Sequence, residues 1–228
     1  MSKERVFTEE ELKEMGGRTL DAIQAAIDDG DGEKARKLSR RMYNDFFYMH
    51  ALYRDWTTAL LTFVGRHYGD EALEQALRES CTAWLKPLVE LYSKAELRRK
   101  VQMQANGLRG HLGLLRVEED DEKFTFIMEP CGSGGRLILD GSYGSPQNFL
   151  MVKKGQPITY GREDFPVYCT HCSIVEILPV EWTGVPLFIV APAEKLGEEP
   201  CRVYLYKDAK AIPQEYYRMV GKTKGQLD

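Results

Sequence analysis

Long hydrophobic runs are missing from this sequence. No apolar stretch reaches the roughly 18 residues that a membrane span requires, and the opening Met1-Ser-Lys-Glu-Arg leads into polar residues rather than an apolar signal core. The protein is therefore expected in the cytoplasm, with no membrane partner. An excess of charge of one sign is missing too: 31 Lys and Arg stand against 35 Asp and Glu, a formal net charge of −4, so no general basic field invites nucleic acid. Histidine is scarce at four residues, and of the five cysteines only Cys81 precedes position 131. Internal repeats and low-complexity segments are absent. The odd cysteine count leaves at least one thiol outside any disulfide, and in a reducing compartment clustered thiols serve more often as metal ligands or reactive groups.

What is present is enough for a sizeable core. A chain of 228 residues, 43% of them hydrophobic, fits one large domain or two small ones. Up to His111 the apolar residues recur every three to four positions, which predicts helices. Thr8 followed by Glu9, Glu10 and Glu11 resembles a capped start. Leu12, Met15, Leu20, Ile23 and Ile27 share one side of this first helix, although Gly16-Gly17 weakens its middle. A second helix is expected over residues 32–67. A third begins after Gly69 and carries Leu73, Leu77, Trp84, Leu88 and Leu91, with a kink at Pro87. A fourth, over residues 93–106, is strongly basic, its Lys94, Arg98, Arg99 and Lys100 fitting either an acidic partner or a solvated face.

After Gly110 the pattern changes. Residues 112–117 and 123–128 are β-rich runs around an acidic stretch, which predicts a hairpin with a charged turn. Residues 186–191 and 202–206 predict two more strands. Between lie a loop-rich segment over 131–168 and a short helix over 170–178, and a short helix containing Tyr216 and Tyr217 closes the chain. The expected fold is α+β: a bundle of about four helices, residues 1–111, on a small antiparallel sheet within residues 112–228, the two parts packing as one compact unit.

The chemistry-bearing residues concentrate late. Cys131 opens Cys131-Gly-Ser-Gly-Gly-Arg136, where three glycines allow a tight turn or the close approach of a ligand. The segment reads either as a plain strand exit or as an anion cradle in which Arg136 holds a substrate carboxylate. It does not end in GK[ST] and is not a G-x-G-x-x-G, which excludes a nucleotide loop. In Tyr168-Cys169-Thr170-His171-Cys172 a CxxC pair frames an imidazole. Three readings stand: about one zinc ion held by at least three of Cys131, Cys169, Cys172, Cys201 and His171; an unmetallated reactive thiol pair; or buried cysteines without chemistry.

His50, Tyr53 and Trp56 form the second candidate cluster. His50 reads as an acid/base or hydrogen-bonding group for a substrate lodged between helices and sheet, or as a core histidine. The aromatics Tyr43, Phe46, Phe47, Tyr53, Trp56 and Phe63 read as a core stripe or as a ligand pocket with polar handles. His67 and His111, at element ends, are expected at the surface, and Cys81 in packing. Asp28-Asp-Gly-Asp-Gly-Glu33 lacks the ligand spacing of a calcium loop and reads as a turn.

The late layout of hairpin, cysteine-preceded helix and a cysteine opening the last strand, here Cys201-Arg-Val-Tyr-Leu-Tyr206, resembles the vinyl-reductase-type domain, which includes zinc-containing sensors of aromatic compounds. It also resembles the bacterial aminothiazoline-carboxylate hydrolases. The resemblance covers residues 112–208 and implies that Cys172 or Cys169 matches the metal ligand at the helix start and Cys201 the one at the last strand. The sensors carry an acid and a further cysteine on the preceding strand, where residues 188–193 have neither. Together these readings predict a zinc-binding bacterial protein acting as a hydrolase or lyase on a small cyclic or aromatic ligand. Zinc-bound water or a thiolate would be the nucleophile, His50 the acid/base, and Tyr53, Trp56 and Arg136 the substrate contacts. The alternative is a non-catalytic sensor or carrier with a structural zinc, and a homodimer is compatible with either. The absence of an attached DNA-binding or ATPase domain leaves a sensor without an output in this chain and favours the enzyme.

Overall fold

The computed structural model describes residues 5–225. The fold is α+β. The chain divides into two compact units, residues 1–52 and 53–228.

In the first unit, Thr8 caps α1 (Glu9–Gly16): its hydroxyl accepts the Glu11 N–H while the Glu11 carboxylate accepts the Thr8 N–H. Gly17 ends that helix, and α2 (Thr19–Asp28) follows, so the expected first helix is two. The Asp31 carboxylate then accepts the Lys34 N–H at the start of α3 (Gly32–Lys94). Buried positions in this unit are Ile23, Ala26 and Ala35. The aromatic stripe is not core here, since Tyr43, Phe46 and Phe47 are all exposed.

The expected bundle of about four helices is replaced by one long helical run. Within Gly32–Lys94 only Gly69 leaves helical geometry, at φ 85° and ψ −179°, a region open to glycine. Pro87 produces no comparable break. The part of α3 in the second unit buries Leu73, Leu77, Cys81, Leu85, Val89 and Tyr92, a stripe at three- and four-residue intervals. The basic helix α4 (Leu97–Arg109) comes next and buries Gln104 and Leu108.

The sheet has the order β1-β2-β6-β5, all neighbours antiparallel, with β1 (Leu114–Glu119), β2 (Lys123–Glu129), β5 (Ile189–Ala191) and β6 (Cys201–Tyr206). The first hairpin turns where the charges predict. Asp120 accepts backbone N–H groups from Glu122 and Lys123 and the Lys123 ammonium at 3.0 Å, and these bonds hold its pKa down at about 2. Between β2 and β5 the chain forms α5 (Gly134–Leu139), a two-stranded ribbon of β3 (Met151–Val152) and β4 (Phe165–Pro166), and α6 (Thr170–Thr183). A final helix, α7 (Gln214–Met219), buries Tyr217. One core cluster joins Leu73, Leu85, Phe126, Phe165, Ile174 and Val203. Among the described residues no helix is long and apolar enough to cross a membrane.

Glu176 is the one carboxyl on the buried face of α6. Its Oε1 accepts from the Tyr160 hydroxyl at 2.8 Å and from the Val190 N–H at 3.0 Å. Burial outweighs these two bonds and raises its pKa from 4.5 to about 8. The unfolded chain therefore loses this proton near pH 4.5 while the folded chain keeps it to about pH 8. Stability falls across that window, by about 1.4 kcal/mol per pH unit. Glu176→Gln retains an oxygen for both donors and has no proton to lose. In urea denaturation it is expected to lie within about 1 kcal/mol of the parent at pH 5 and to exceed it by several kcal/mol at pH 8; a difference independent of pH would contradict the buried acid.

Candidate active site

A cavity of about 400 Å³ lies in the second unit, within the range of small-ligand sites. Its walls are mainly apolar, from Trp84, Leu88, Met128, Phe165, Phe188 and Val203, and its polar residues include His111, Cys131, Ser133, Cys169, His171, Cys172 and Cys201. Four cysteines from three separate segments thus face one space. Cys201 reaches it because β6 pairs with β2 in the register that sets Cys201 opposite Met128, three residues before Cys131. Cys169 and Cys172 reach it from the start of α6, where the three-residue spacing puts both on one side of the helix.

Glycine brings the remaining parts together. Gly132 packs directly on the turn that follows α4: an added Cβ would overlap the His111 carbonyl oxygen and lie 2.6 Å from the Gly113 nitrogen. At Gly134 an added Cβ would lie 2.6 Å from the Cys169 sulfur. The Cys131-Gly-Ser-Gly-Gly segment is thereby pressed between His111 on one side and Cys169 on the other. Its outer N–H groups are consumed within the loop, Arg136 donating to the Cys131 carbonyl and Leu137 to that of Ser133, both at 3.0 Å. The backbone N–H groups of Ser133 and Gly135 go to the Cys131 sulfur. These two donors of the segment thus turn to the chain's own sulfur.

The four cysteines differ sharply in acidity. Burial acts to raise the Cys131 pKa, but the hydrogen bond and charge of His111, with the two backbone donors, outweigh it and bring the pKa down from 9.0 to about 7. Ser133 also holds the His111 ring, its Oγ 2.7 Å from Nδ1. Cys169 and Cys172 are pushed well above the ordinary thiol value by burial first and by the neighbouring sulfurs second. Cys201 rises to about 11 through burial, although its sulfur accepts the Ala193 N–H at 3.5 Å. His171 is neutral: burial lowers its pKa to about 4, its Nδ1–H donates to the Tyr168 carbonyl at 2.5 Å, and its Nε2 lies 3.7 Å from the Cys172 sulfur, in place to accept the thiol proton. One thiol is more acidic than usual and the other three are less so.

The predicted ligand set Cys131, Cys169, Cys172, Cys201 and His171 is therefore assembled around a single cavity. The second predicted cluster is not part of it. Tyr53 and Trp56 are 54% and 58% exposed and stack on each other, ring centroids 6.3 Å apart. The buried positions next to them on that helix are Arg54, Thr58, Leu61 and Thr62, which at about 100° per residue lie on the face away from Tyr53 and Trp56. His50 belongs to the first unit, half-buried, with Phe46 edge-on at 6.4 Å. Arg136 is half-buried on α5, outside the cavity lining. His111, expected at the surface, is instead the partner of Cys131. Its only sequence signal is the flanking Gly110 and Gly113, and nothing in the spacing links it to a cysteine 20 residues away. No family model, curated protein or solved structure matches the chain.

Proposed function

We propose that this chain is a small-molecule hydrolase in which Cys131 is the nucleophile and His111 its acid/base, acting on a compact, ring-containing, largely apolar substrate. The observation that carries the reading is the Cys131, His111 and Ser133 constellation in the wall of an apolar cavity. A nucleophile needs a base within hydrogen-bond reach, and the base needs a third group to orient it. In the reaction the Cys131 sulfur bonds to the electrophilic carbon of the substrate, the bond to the leaving group breaks, and His111 passes its proton to that group. Water then attacks the resulting thioester, giving a proton to His111 as the carbon–sulfur bond breaks and the acid leaves. A cytoplasmic setting, which keeps thiols reduced, and hydrolysis of a small cyclic compound, as the resemblance to the aminothiazoline-carboxylate hydrolases implies, both accord with this chemistry.

p-Nitrophenyl acetate is a direct probe. The folded protein is expected to release one equivalent of nitrophenolate per chain in a burst and to carry the acetyl group on Cys131, as peptide mass spectrometry would read, while Cys131→Ala gives no burst. Acetylation spread evenly over the cysteines, or no burst from the parent, would defeat the assignment.

A second reading is favoured by the four sulfurs lining one cavity: burial and, after it, their mutual repulsion raise the pKa of Cys169 and Cys172, and a cation would offset both. Thiolate and imidazole donors suit zinc, and a zinc-holding protein of this kind would be a sensor or carrier of the same ligands. Among the described residues no group of three or more His, Cys, Asp or Glu side chains is arranged to hold a metal ion, so no chemical step is routed through one. Elemental analysis of protein purified without added metal separates the two readings. About one zinc per chain with no nitrophenolate burst establishes the second, and a metal-free folded protein removes it.

A further inference from the structure

α4 presents Gln104, Gly107 and Leu108 to the cavity, at the i, i+3, i+4 spacing of one helix face, and the turn after it presents His111. Gln104 is 6% exposed, and its Oε1 accepts the Tyr92 hydroxyl at 2.9 Å. Tyr92 is itself buried and its hydroxyl is held protonated, its pKa raised by burial, so it acts as a donor and fixes which end of the amide is the oxygen. The Gln104 Nε2 then has two N–H groups and no hydrogen-bond partner among the described residues. No lysine or arginine lines the cavity, and His111 is engaged with Cys131, so a substrate carboxylate at the Gln104 end would be buried without a counter-charge.

The geometry points to Gln104 as the specificity residue of this cavity, its amide N–H donating to a neutral acceptor, such as a ring carbonyl, at the end of the ligand away from Cys131. The inference rests on the hydrolase reading for which end of the ligand reacts, and extends it to a ligand class: neutral, ring-containing molecules with one acceptor. Gln104 lies five residues before the end of α4 at Arg109, about 7.5 Å along the helix axis at 1.5 Å per residue, so the anchor is set well back from the turn that carries His111. That span suits a ligand of one or two rings. A ligand with no acceptor would leave the amide N–H groups buried without a bond, which costs more than the bond itself contributes.

Calorimetric titration with indane, 1-indanone and indane-2-carboxylate, which share one ring system, tests this. The parent is expected to bind 1-indanone about tenfold or more tighter than indane and to bind the carboxylate most weakly. Gln104→Leu should lower 1-indanone to the level of indane while leaving indane within about threefold of its parent value. Tyr92→Phe, which frees the amide to turn, should narrow the preference without abolishing indane binding; it keeps the test in force if Gln104→Leu does not fold. Equal binding of indane and 1-indanone by the parent, strongest binding of the carboxylate, no binding of any of the three, or a preference that survives in both variants would each overturn the assignment. Acetylation of Cys131 by p-nitrophenyl acetate, read on the same preparations, keeps the two readings apart. A parent that discriminates the probes but shows no burst loses the nucleophile alone, and one that shows the burst but does not discriminate loses the Gln104 anchor alone.

Discussion

Replacing His111 with glutamine is expected to move the pH midpoint of Cys131 alkylation by iodoacetamide from about 7 to 9 or above. In the parent the His111 hydrogen bond and charge overcome a burial effect that by itself raises the thiol. Without the imidazole the burial effect remains and the main opposing influence is gone, leaving only the backbone donors from Ser133 and Gly135. At pH 7 the thiolate fraction then falls from about a half to about one per cent, roughly fiftyfold. The alkylation rate falls less, by about an order of magnitude, because a thiolate of higher pKa is intrinsically more nucleophilic. Ultraviolet absorbance of the thiolate measures the fraction directly and the rate profile measures its consequence. Glutamine preserves a hydrogen-bonding side chain at the position, so a purely structural role for His111 would leave the midpoint where it was. An unchanged midpoint in a folded variant would remove His111 from the site.

Gly132→Ala is expected to cost more than about 4 kcal/mol or to prevent folding altogether. The added methyl would overlap the His111 carbonyl oxygen and crowd the Gly113 nitrogen. Both are backbone atoms in a turn that is itself tied down, with the His111 N–H bonded to the Leu108 carbonyl and the Leu112 N–H to that of Arg109. Overpacking against a flexible side chain is relieved by a rotamer change, whereas overpacking against backbone must move a whole segment. Gly134→Ala provides the contrast, because its methyl meets the Cys169 sulfur at 2.6 Å, a side chain that can turn away. It should lose roughly 1–3 kcal/mol and disturb the cavity more than the fold. Urea denaturation and soluble yield of the two variants check the ranking, and a Gly132→Ala protein within 1 kcal/mol of the parent would show that the two backbone segments do not meet as described.

The hairpin and the start of α6 show how far local pattern reaches. Alternating apolar residues around an acidic turn were sufficient for β1 and β2, because Asp120 closes that turn on neighbours two and three residues away. The three-residue spacing of Cys169 and Cys172 was likewise sufficient to place both on one side of a helix. The aromatic stripe near Tyr53 and Trp56 shows where the pattern misleads. Its helical period is plain in the sequence, yet the core took the opposite face, because which face is buried depends on what lies against it. The expected break between the second and third helices falls where the sequence put it, because Gly69 leaves helical geometry and kinks the run there, whereas Pro87 leaves no comparable break.

By itself the sequence determined the α+β class, the concentration of thiols in the last hundred residues, the strand-end and helix-start positions of Cys131, Cys169 and Cys172, and the glycines around Cys131. These are set by interactions within a few residues of each other. Only the tertiary structure decided that Cys201 joins them at one cavity, that His111 lies beside Cys131, and that N–H groups of the glycine-rich segment turn to the Cys131 sulfur. Each of those outcomes depends on backbone segments far apart in the chain coming into van der Waals contact: β6 in register on β2, and the turn after α4 pressed against Gly132. Such contact changes the acidity of a thiol by the charge and donors it brings alongside, and residue spacing carries no record of it.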